Sequence, residues 1–565
     1  MSTNVPRIVE CVPNISNGTH PEVYKSVAAV VEKFPGVKLL DIDPGAATNR
    51  TVITFAGAPE VIVDAAFELI KTAKALIDMR THKGEHPRMG AVDVCPFVPV
   101  SGVTLEECAL LARKLAKRVG EELSVWAYLY EAAASKAEWR NLANIRKGEY
   151  ESLQSRQGNP EWRPDFGPAD AFDPKFGAIA IGARKFLVAY NINVNSANKK
   201  WANDIAMNIR ESGRSKRVSY PDGDIVRNPD GTPVNIPGRF SNCKATAWVI
   251  PEYNRAQVTM NLTDTDVTPL HEVFDVVNEQ ARERGVRVTG SEIVGLVPLN
   301  VMLNAGKHYL QKQGLSTAVS EREIIDSAIM SLGLSDVSPF DPQKKIVEYH
   351  FRAGSGKLVH NSIEKFCDIL ASDAPAPGGG SIAALCGSLA AALATMVSNL
   401  THGKAPYRQH WSRMEEIGVI GQSLKSWFMV AIDSDTDAFN LVMAASKLPQ
   451  ANDEQKSIRK RAIEEANQAA TLVPLDVMEK TLEVLPLLEE AAHHGNPNCI
   501  SDAGVGAYCL LAAAEGAALN VVTNLKNVTE QKFIVHSQQR VERVLTTVRK
   551  KVKEITELVD QKLRK

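Results

Sequence analysis

The chain lacks any excess of charge: 65 Lys and Arg stand against 66 Asp and Glu, a net of −1. That removes the global attraction on which non-specific binding to nucleic acid or an acidic membrane surface depends, and leaves only local anion sites. Cysteine pairing motifs are missing too. Eight cysteines are scattered from Cys11 to Cys509 with no C-x-x-C among them, which fits buried thiols in a reducing cytosol rather than a disulfide framework. The opening residues Met1-Ser-Thr-Asn-Val-Pro-Arg7 have neither an apolar signal core nor an Arg/Ser-rich presequence, so a cytoplasmic location is expected. Long apolar runs are scarce. The most apolar stretch, Ser381 to Val397, is full of Ala, Ser and Gly and reads as a buried helix of a soluble fold, not a membrane span.

What is present is ordinary in bulk. With 565 residues, 44% hydrophobic and 23% charged, the chain is globular and too long for one core, so about two to four domains are expected. Up to about residue 340, strands and helices alternate. The stretches 7–12, 37–42, 51–55 and 92–98 read as strands, with helices over 20–33, 59–79 and 105–121. A connection rich in Trp, Pro, Asp and Gly runs from 154 to 182, too long for a neutral link inside a compact domain. A second set follows: a strand at 186–194, a helix at 197–212, a hairpin at 246–251 and 257–261, and helices near 269–285, 299–313 and 321–332. Arg50-Thr-Val-Ile-Thr-Phe-Ala-Gly-Ala-Pro59 and Ala256-Gln-Val-Thr-Met-Asn-Leu-Thr-Asp-Thr265 echo each other as strands running into a turn and helix. Beyond Arg352-Ala-Gly-Ser-Gly-Lys357, strand signals vanish and Ala-rich helical periodicity takes over. In the last helix Val541, Leu545, Val548, Val552, Ile555 and Val559 form a sustained a/d seam, for its own bundle or for a subunit partner.

The densest chemistry lies in Thr81-His-Lys-Gly-Glu-His-Pro-Arg-Met-Gly90. His82, Glu85 and His86 spell H-x-x-E-H, a zinc-hydrolase pattern that needs both histidines on one rigid helical face. Gly84 between them and Pro87 after them disfavour that helix. A loop presenting His82 and His86 among Lys83, Glu85 and Arg88 is the better picture. An acid/base site, structural histidines and a metal site all stay open on the residues alone.

Glu10-Cys-Val-Pro-Asn-Ile-Ser-Asn-Gly18, Leu40-Asp-Ile-Asp-Pro-Gly45, Asn49-Arg-Thr51, His82 to Gly90 and Asp165-Phe-Gly-Pro168 resemble the glutamate formiminotransferase family over roughly the first 345 residues. The resemblance implies transfer of a formimino group from N-formimino-L-glutamate to N5 of tetrahydrofolate, with His86 as the catalytic base. It implies folate binding by the loop Gly167-Pro168-Ala169-Asp170-Ala171-Phe172-Asp173-Pro174-Lys175-Phe176-Gly177, which is one residue longer than the family pattern around Ala169–Phe172. Asp43 and Arg50 match strings near the active-site cleft. Arg50, Lys83, Arg88 and Arg184 are the candidate cations for substrate carboxylates, with His82 beside them.

In the helical part, a step of about 100° per residue puts Leu424, Phe428, Ala431, Ala438, Phe439 and Val442 on one face of a helix over 421–446. Asp435 falls inside that apolar stripe, while Asp433 and Asp437 point to presumed solvent. A carboxylate so placed must be paired, protonated or facing a cleft, as a proton donor or as a salt bridge. Ala374-Pro-Ala-Pro-Gly-Gly-Gly-Ser381 leads into the Ala-rich helix, so Gly378, Gly379, Gly380 and Ser381 expose N–H groups suited to an anion or carbonyl oxygen, or else form a simple turn. These strings, with Asp433-Ser-Asp-Thr-Asp-Ala-Phe439, resemble the cyclodeaminase/methenyltetrahydrofolate cyclohydrolase family. That implies closure of 5-formiminotetrahydrofolate to 5,10-methenyltetrahydrofolate with loss of ammonia, Asp435 serving as acid/base.

The expected architecture is therefore α/β: two ferredoxin-like α+β subdomains (1–182 and 183–345) forming a transferase. A linker (346–358) would lead to a separate all-α cyclodeaminase domain (359–565). The resemblance implies polyglutamylated tetrahydrofolate as co-substrate, no metal, a homo-oligomer (an octamer), and room for cytoskeletal, Golgi or centrosome association. No nucleic acid partner is expected. The rivals are a zinc hydrolase built on His82, Glu85 and His86, and a non-catalytic helical scaffold.

Overall fold

The computed structural model describes residues 7–564 apart from Ala47, Glu85, 220–222, 253 and 352–357. Strand β4 (Arg50–Gly57) shows how the first part is built. Thr51, Ile53 and Phe55 are fully buried, whereas Arg50 and Val52 are only half-buried on the alternate face, as the two-residue pleat dictates. Strands β1 (Ile8–Cys11), β2 (Asn14–Ile15), β3 (Lys38–Gly45) and β5 (Val92–Ser101) join it, all antiparallel, with β3 on one side and β1, β2 and then β5 on the other. Helix α1 (Pro21–Ala29) follows β2 and α2 (Pro59–Leu76) follows β4, a βαββαβ unit. Helix α3 (Leu105–Leu123) opens on a Thr104/Glu107 capping box. It leads into β6 (Trp126–Glu131) and, much later, β7 (Ala178–Ala183), which extend the sheet in parallel as β5-β7-β6. The long connection between them carries the one-turn helices α4 (Leu142–Ile145) and α5 (Leu153–Arg156).

The second set repeats the pattern. Strand β8 (Val188–Val194) and helix α6 (Lys199–Ile209) precede a small ribbon, β9 (Arg214–Ser215) with β10 (Asn235–Ile236). Then come β11 (Cys243–Ile250), β12 (Arg255–Leu262), α7 (Leu270–Glu283) and β13 (Val288–Val294). Its antiparallel order, β11-β12-β8-β13, matches β3-β4-(β1, β2)-β5 strand for strand. The two echoing sequences run along β4 and β12, which hold the same place in the two sheets. Six strands were not anticipated: β2, β6, β7, β9, β10 and β13. Strand β7 falls within the expected connection because all six of its residues are buried, leaving no apolar/polar alternation to read.

Helices α8 (Leu299–Lys312), α9 (Glu321–Leu332) and α10 (Pro342–Lys345) follow. Of the described residues, those within 7–305 and 328–351 form one compact unit, and those within 306–327 and 358–564 form the other. The second is all helix: α11 (Ile363–Leu370), α12 (Gly379–Asn399), α13 (Trp411–Ser446), α14 (Asp453–His494), α15 (Ile500–Leu525) and α16 (Gln531–Leu563). Small residues let its helices approach closely; a methyl at Gly387 would strike the Phe428 ring at 2.5 Å. Val541, Val548, Val552, Ile555 and Val559 are buried in this unit's own core, with Leu545 packed against it. The a/d seam therefore serves its own bundle.

Candidate active sites

The described residues between Arg80 and Met89 form neither helix nor strand. Glycine is required here: a side chain at Gly84 would meet the Thr48 carbonyl oxygen at 2.3 Å. Glu85 lies outside the described residues. The Nε2 of His82 lies 3.0 Å from the Asn49 carbonyl oxygen, and its Nδ1 lies 3.3 Å from Arg88 Nε. A carbonyl only accepts and a guanidinium only donates. His82 is therefore neutral, protonated on Nε2, with its one lone pair already engaged.

His86 is held differently. Its Nδ1 lies 2.7 Å from the Pro87 carbonyl oxygen, so Nδ1 carries the proton and donates it. Among the described residues nothing bonds to Nε2, whose lone pair stays open. Burial, then the guanidinium groups of Arg50 and Arg146, hold the His86 pKa below its ordinary value. The imidazole is thus a neutral base at neutral pH.

Those two guanidiniums share one carboxylate. Arg50 Nη1 donates to Asp93 Oδ2 at 2.5 Å, Arg146 Nη2 donates to the same oxygen, and Arg50 Nε donates to Asn14 Oδ1 at 3.1 Å. The Asp93 side chain is fully buried and also accepts from the Met89 N–H at 3.0 Å. Two cations on one anion leave net positive charge beside His86, an environment suited to an anion. Neither Asp93 nor Arg146 stood out in the sequence, although a carboxylate inside the strand Val92-Asp-Val-Cys95 is a legible anomaly. Arg88, expected to meet substrate, is otherwise engaged: it bridges Glu149 at 3.1 Å and Glu151 at 2.7 Å while holding His82. It ties the loop down instead of offering a free cation. Lys83 is exposed.

Between the two sheets of this unit lies a cavity of about 650 Å³. Glu10, Asp41, Asp43, Val52 and Thr54 wall one side, Phe186, Ala189, Val294, Lys344 and Lys345 the other, with Arg184 among them. Asp43 and Arg184 are thus brought together. Glu10 and Asp41 were not assigned roles beforehand. The Gly167–Gly177 loop is not part of these walls; it is fastened beside the histidine loop. Trp126 Nε1 donates to the Pro168 carbonyl at 2.6 Å, and Phe172 packs 5.5 Å from the Trp126 ring. Asp173 accepts from the Lys175 N–H at 2.9 Å and pairs with Lys74 at 2.9 Å. Gly177, at φ +84°, comes so close to Met89 that a side chain would meet its carbonyl at 2.2 Å.

In the helical unit Asp435 lies on α13 opposite the start of α12. Of the Gly378–Ser381 run, Ser381 presents its N–H to an acceptor, and the acceptor is Asp435 itself. Ser381 offers its main-chain N–H, and its hydroxyl donates to Asp435 Oδ2 at 3.2 Å. A methyl at Gly380 would sit 2.0 Å from Asp435 Oδ1, so glycine is what admits the carboxylate. Burial raises the Asp435 pKa, and the Ser381 bonds offset that only in part. Asp437 is exposed as expected. Asp433 is not: its Oδ1 accepts from the Leu358 N–H at 3.1 Å, because the chain entering the bundle crosses that face.

A neutral imidazole beside paired arginines, and a buried carboxyl group of raised pKa in a separate helical unit, are the two candidate acid–base centres. The family described as "Formiminotransferase domain, N-terminal subdomain" matches residues 8–184, "Formiminotransferase domain" matches 189–352, and "Formiminotransferase-cyclodeaminase" matches 362–543. The chain is 41% identical to mouse formimidoyltransferase-cyclodeaminase over 95% of its own length and 96% of the mouse protein. A glutamate formimidoyltransferase of Streptococcus pyogenes is 38% identical over 54% of this chain and 94% of its own. A methenyltetrahydrofolate cyclohydrolase of Methylorubrum extorquens is 40% identical over 33% of this chain and 89% of its own. The chain belongs to the formimidoyltransferase-cyclodeaminase family.

Proposed function

We propose that His86 and Asp435 carry the two consecutive steps of a bifunctional folate enzyme. The first step moves the formimino group of N-formimino-L-glutamate to N5 of tetrahydrofolate. The second closes 5-formiminotetrahydrofolate to 5,10-methenyltetrahydrofolate and expels ammonia. In the first, Nε2 of His86 takes the N5 proton as that nitrogen attacks the formimino carbon, then returns it to the departing glutamate nitrogen. Arg50 and Arg146 hold a substrate carboxylate. In the second, Asp435 protonates the leaving nitrogen and accepts the proton given up by N10. Each step moves protons between nitrogens, so neither calls for a metal. The cleft with Asp43 and Arg184, and the Gly167–Gly177 loop beside the histidine loop, would seat the folate; Gly378–Ser381 would do so only together with Asp435. The same reading takes the co-substrate as polyglutamylated and the enzyme as a cytoplasmic homo-oligomer.

The observation that carries the proposal is the tautomer of His86, with Nδ1 tied to Pro87 and Nε2 open. The test mixes protein, tetrahydrofolate and N-formiminoglutamate, following methenyltetrahydrofolate by near-UV absorbance and ammonia by a coupled assay. His86→Ala should stop glutamate release, whereas Asp435→Asn should leave it intact and stop ammonia release. A variant that leaves its own step untouched removes that residue from the scheme.

A further inference from the structure

The cavity of the sheet unit holds a carboxylate that neither step uses. Glu10 sits within β1, directly opposite Ala56 on one neighbouring strand and Val98 on the other, and is 4% exposed. A charged side chain at that depth is costly unless something bonds it. Among the described residues no hydrogen bond reaches the Glu10 carboxylate, yet the side chain lines the open cavity and not the packed core. The charged groups acting on it are Arg184 at the end of β7, which favours its anion, and Glu348, which opposes it. Asp41 and Asp43 on β3, and Lys344 and Lys345 on α10, face the same space.

We infer that Glu10 is the acceptor for a planar pair of adjacent N–H donors carried into the cleft by a substrate. The inference rests on the transferase reading and adds to it a residue that orients substrate. Two groups of the required shape take part in the transfer. One is the 2-amino/N3 edge of the tetrahydropteridine; the other is the formamidine end of N-formiminoglutamate. The two oxygens of a carboxylate match either fork bidentately, whereas a carboxamide offers one acceptor and one donor and cannot. Accepting both bonds requires the anion. In the free protein burial outweighs Arg184 and pushes Glu10 up to about 7, so near neutrality a large share of the molecules hold a proton there. Binding must expel it to solvent.

The test counts protons. The full chain is titrated calorimetrically with tetrahydrofolate alone, and separately with N-formiminoglutamate alone, in two buffers of different ionisation enthalpy. This is done near pH 7 and again well above it. The ligand that meets Glu10 releases a fraction of a proton near neutrality, and the release fades at high pH because Glu10 is then already ionised. Glu10→Gln should abolish the release and raise KM for that ligand roughly ten- to hundredfold, the loss expected of a charged hydrogen-bond pair. Glu10→Asp, which keeps the charge on a shorter stem, should retain the release with weaker binding. Release that persists in Glu10→Gln, or no release with either ligand in the wild type, overturns the inference while leaving the transferase reading standing. Failure of the wild type to bind tetrahydrofolate or transfer the group is a failure of that reading, and takes the inference with it. If the glutamine variant does not fold, the wild-type proton count decides.

Discussion

At the scale of single residues, chemistry is assigned by small differences in hydrogen bonding. His82 and His86 share a loop, but the first has both ring nitrogens occupied and the second keeps one open. His86→Ala should therefore lower the transfer rate by about 10²- to 10⁴-fold, the usual share of a general base. Turnover of supplied 5-formiminotetrahydrofolate should be unchanged. The sign of its pH dependence follows from its surroundings. A base is available above its pKa and lost as pH falls through it. Burial and the two arginines lower the His86 pKa, so the acid limb of kcat/KM for transfer should lie below the ordinary histidine range. A limb at or above that range would contradict the assignment. Gly380 gives the matching test in the other unit. A methyl there would sit 2.0 Å from Asp435 Oδ1, so Gly380→Ala should displace the carboxylate and cut ammonia release, with glutamate release unaffected. Full ammonia release from Gly380→Ala would mean that the Asp435 position is not critical.

At the scale of elements, what could be read from the sequence depended on whether the signal was local. Strands β3, β4 and β5 are β-branched runs bounded by turns, the helices packed on them carry the 3.6-residue period, and both were legible. The buried small-residue strand β7 was not. The stripe on α13 singled out Asp435, but nothing local could show that its carboxylate meets the N-terminus of α12, because that contact joins residues 54 positions apart. The Arg50–Asp93–Arg146 cluster was missed for the same reason, its ion pairs spanning 43 and 53 residues. That cluster ties β4, β5 and the long connection together. Replacing Asp93 by Asn would leave two largely buried guanidiniums around a neutral amide. Removing one partner of a buried ion pair costs about 3–5 kcal/mol, so the thermal midpoint should drop clearly along with transfer activity. An unchanged midpoint would show that the carboxylate does not hold these elements. The a/d seam of α16 behaves in the same structural way. Val552 is 3% exposed, and Val552→Asp should destabilise the helical unit in thermal melting, not merely shift its assembly state.

At the scale of the whole molecule, the roles proposed for His86 and Asp435 give the two centres opposite proton requirements. Transfer needs His86 unprotonated and fades as pH falls. Cyclisation needs a proton on Asp435, available below its raised pKa and lost as pH rises. In a coupled assay begun with N-formiminoglutamate, alkaline conditions should therefore let 5-formiminotetrahydrofolate accumulate, whereas acidic conditions should stall before glutamate is released. Coupling through the substrate adds a further expectation. The product of the first centre is the substrate of the second, and a polyglutamate tail that stayed bound would make the second encounter intramolecular. Its effective concentration would then reach the millimolar range that short flexible tethers give. Folates with long tails should leave little free 5-formiminotetrahydrofolate in solution during turnover, and monoglutamates should leave much more. Asp435→Asn supplies the control, since it blocks the second step and should force the intermediate to build up with either tail. Equal release from the unmodified chain with short and long tails would mean that the two centres exchange their intermediate through bulk solvent.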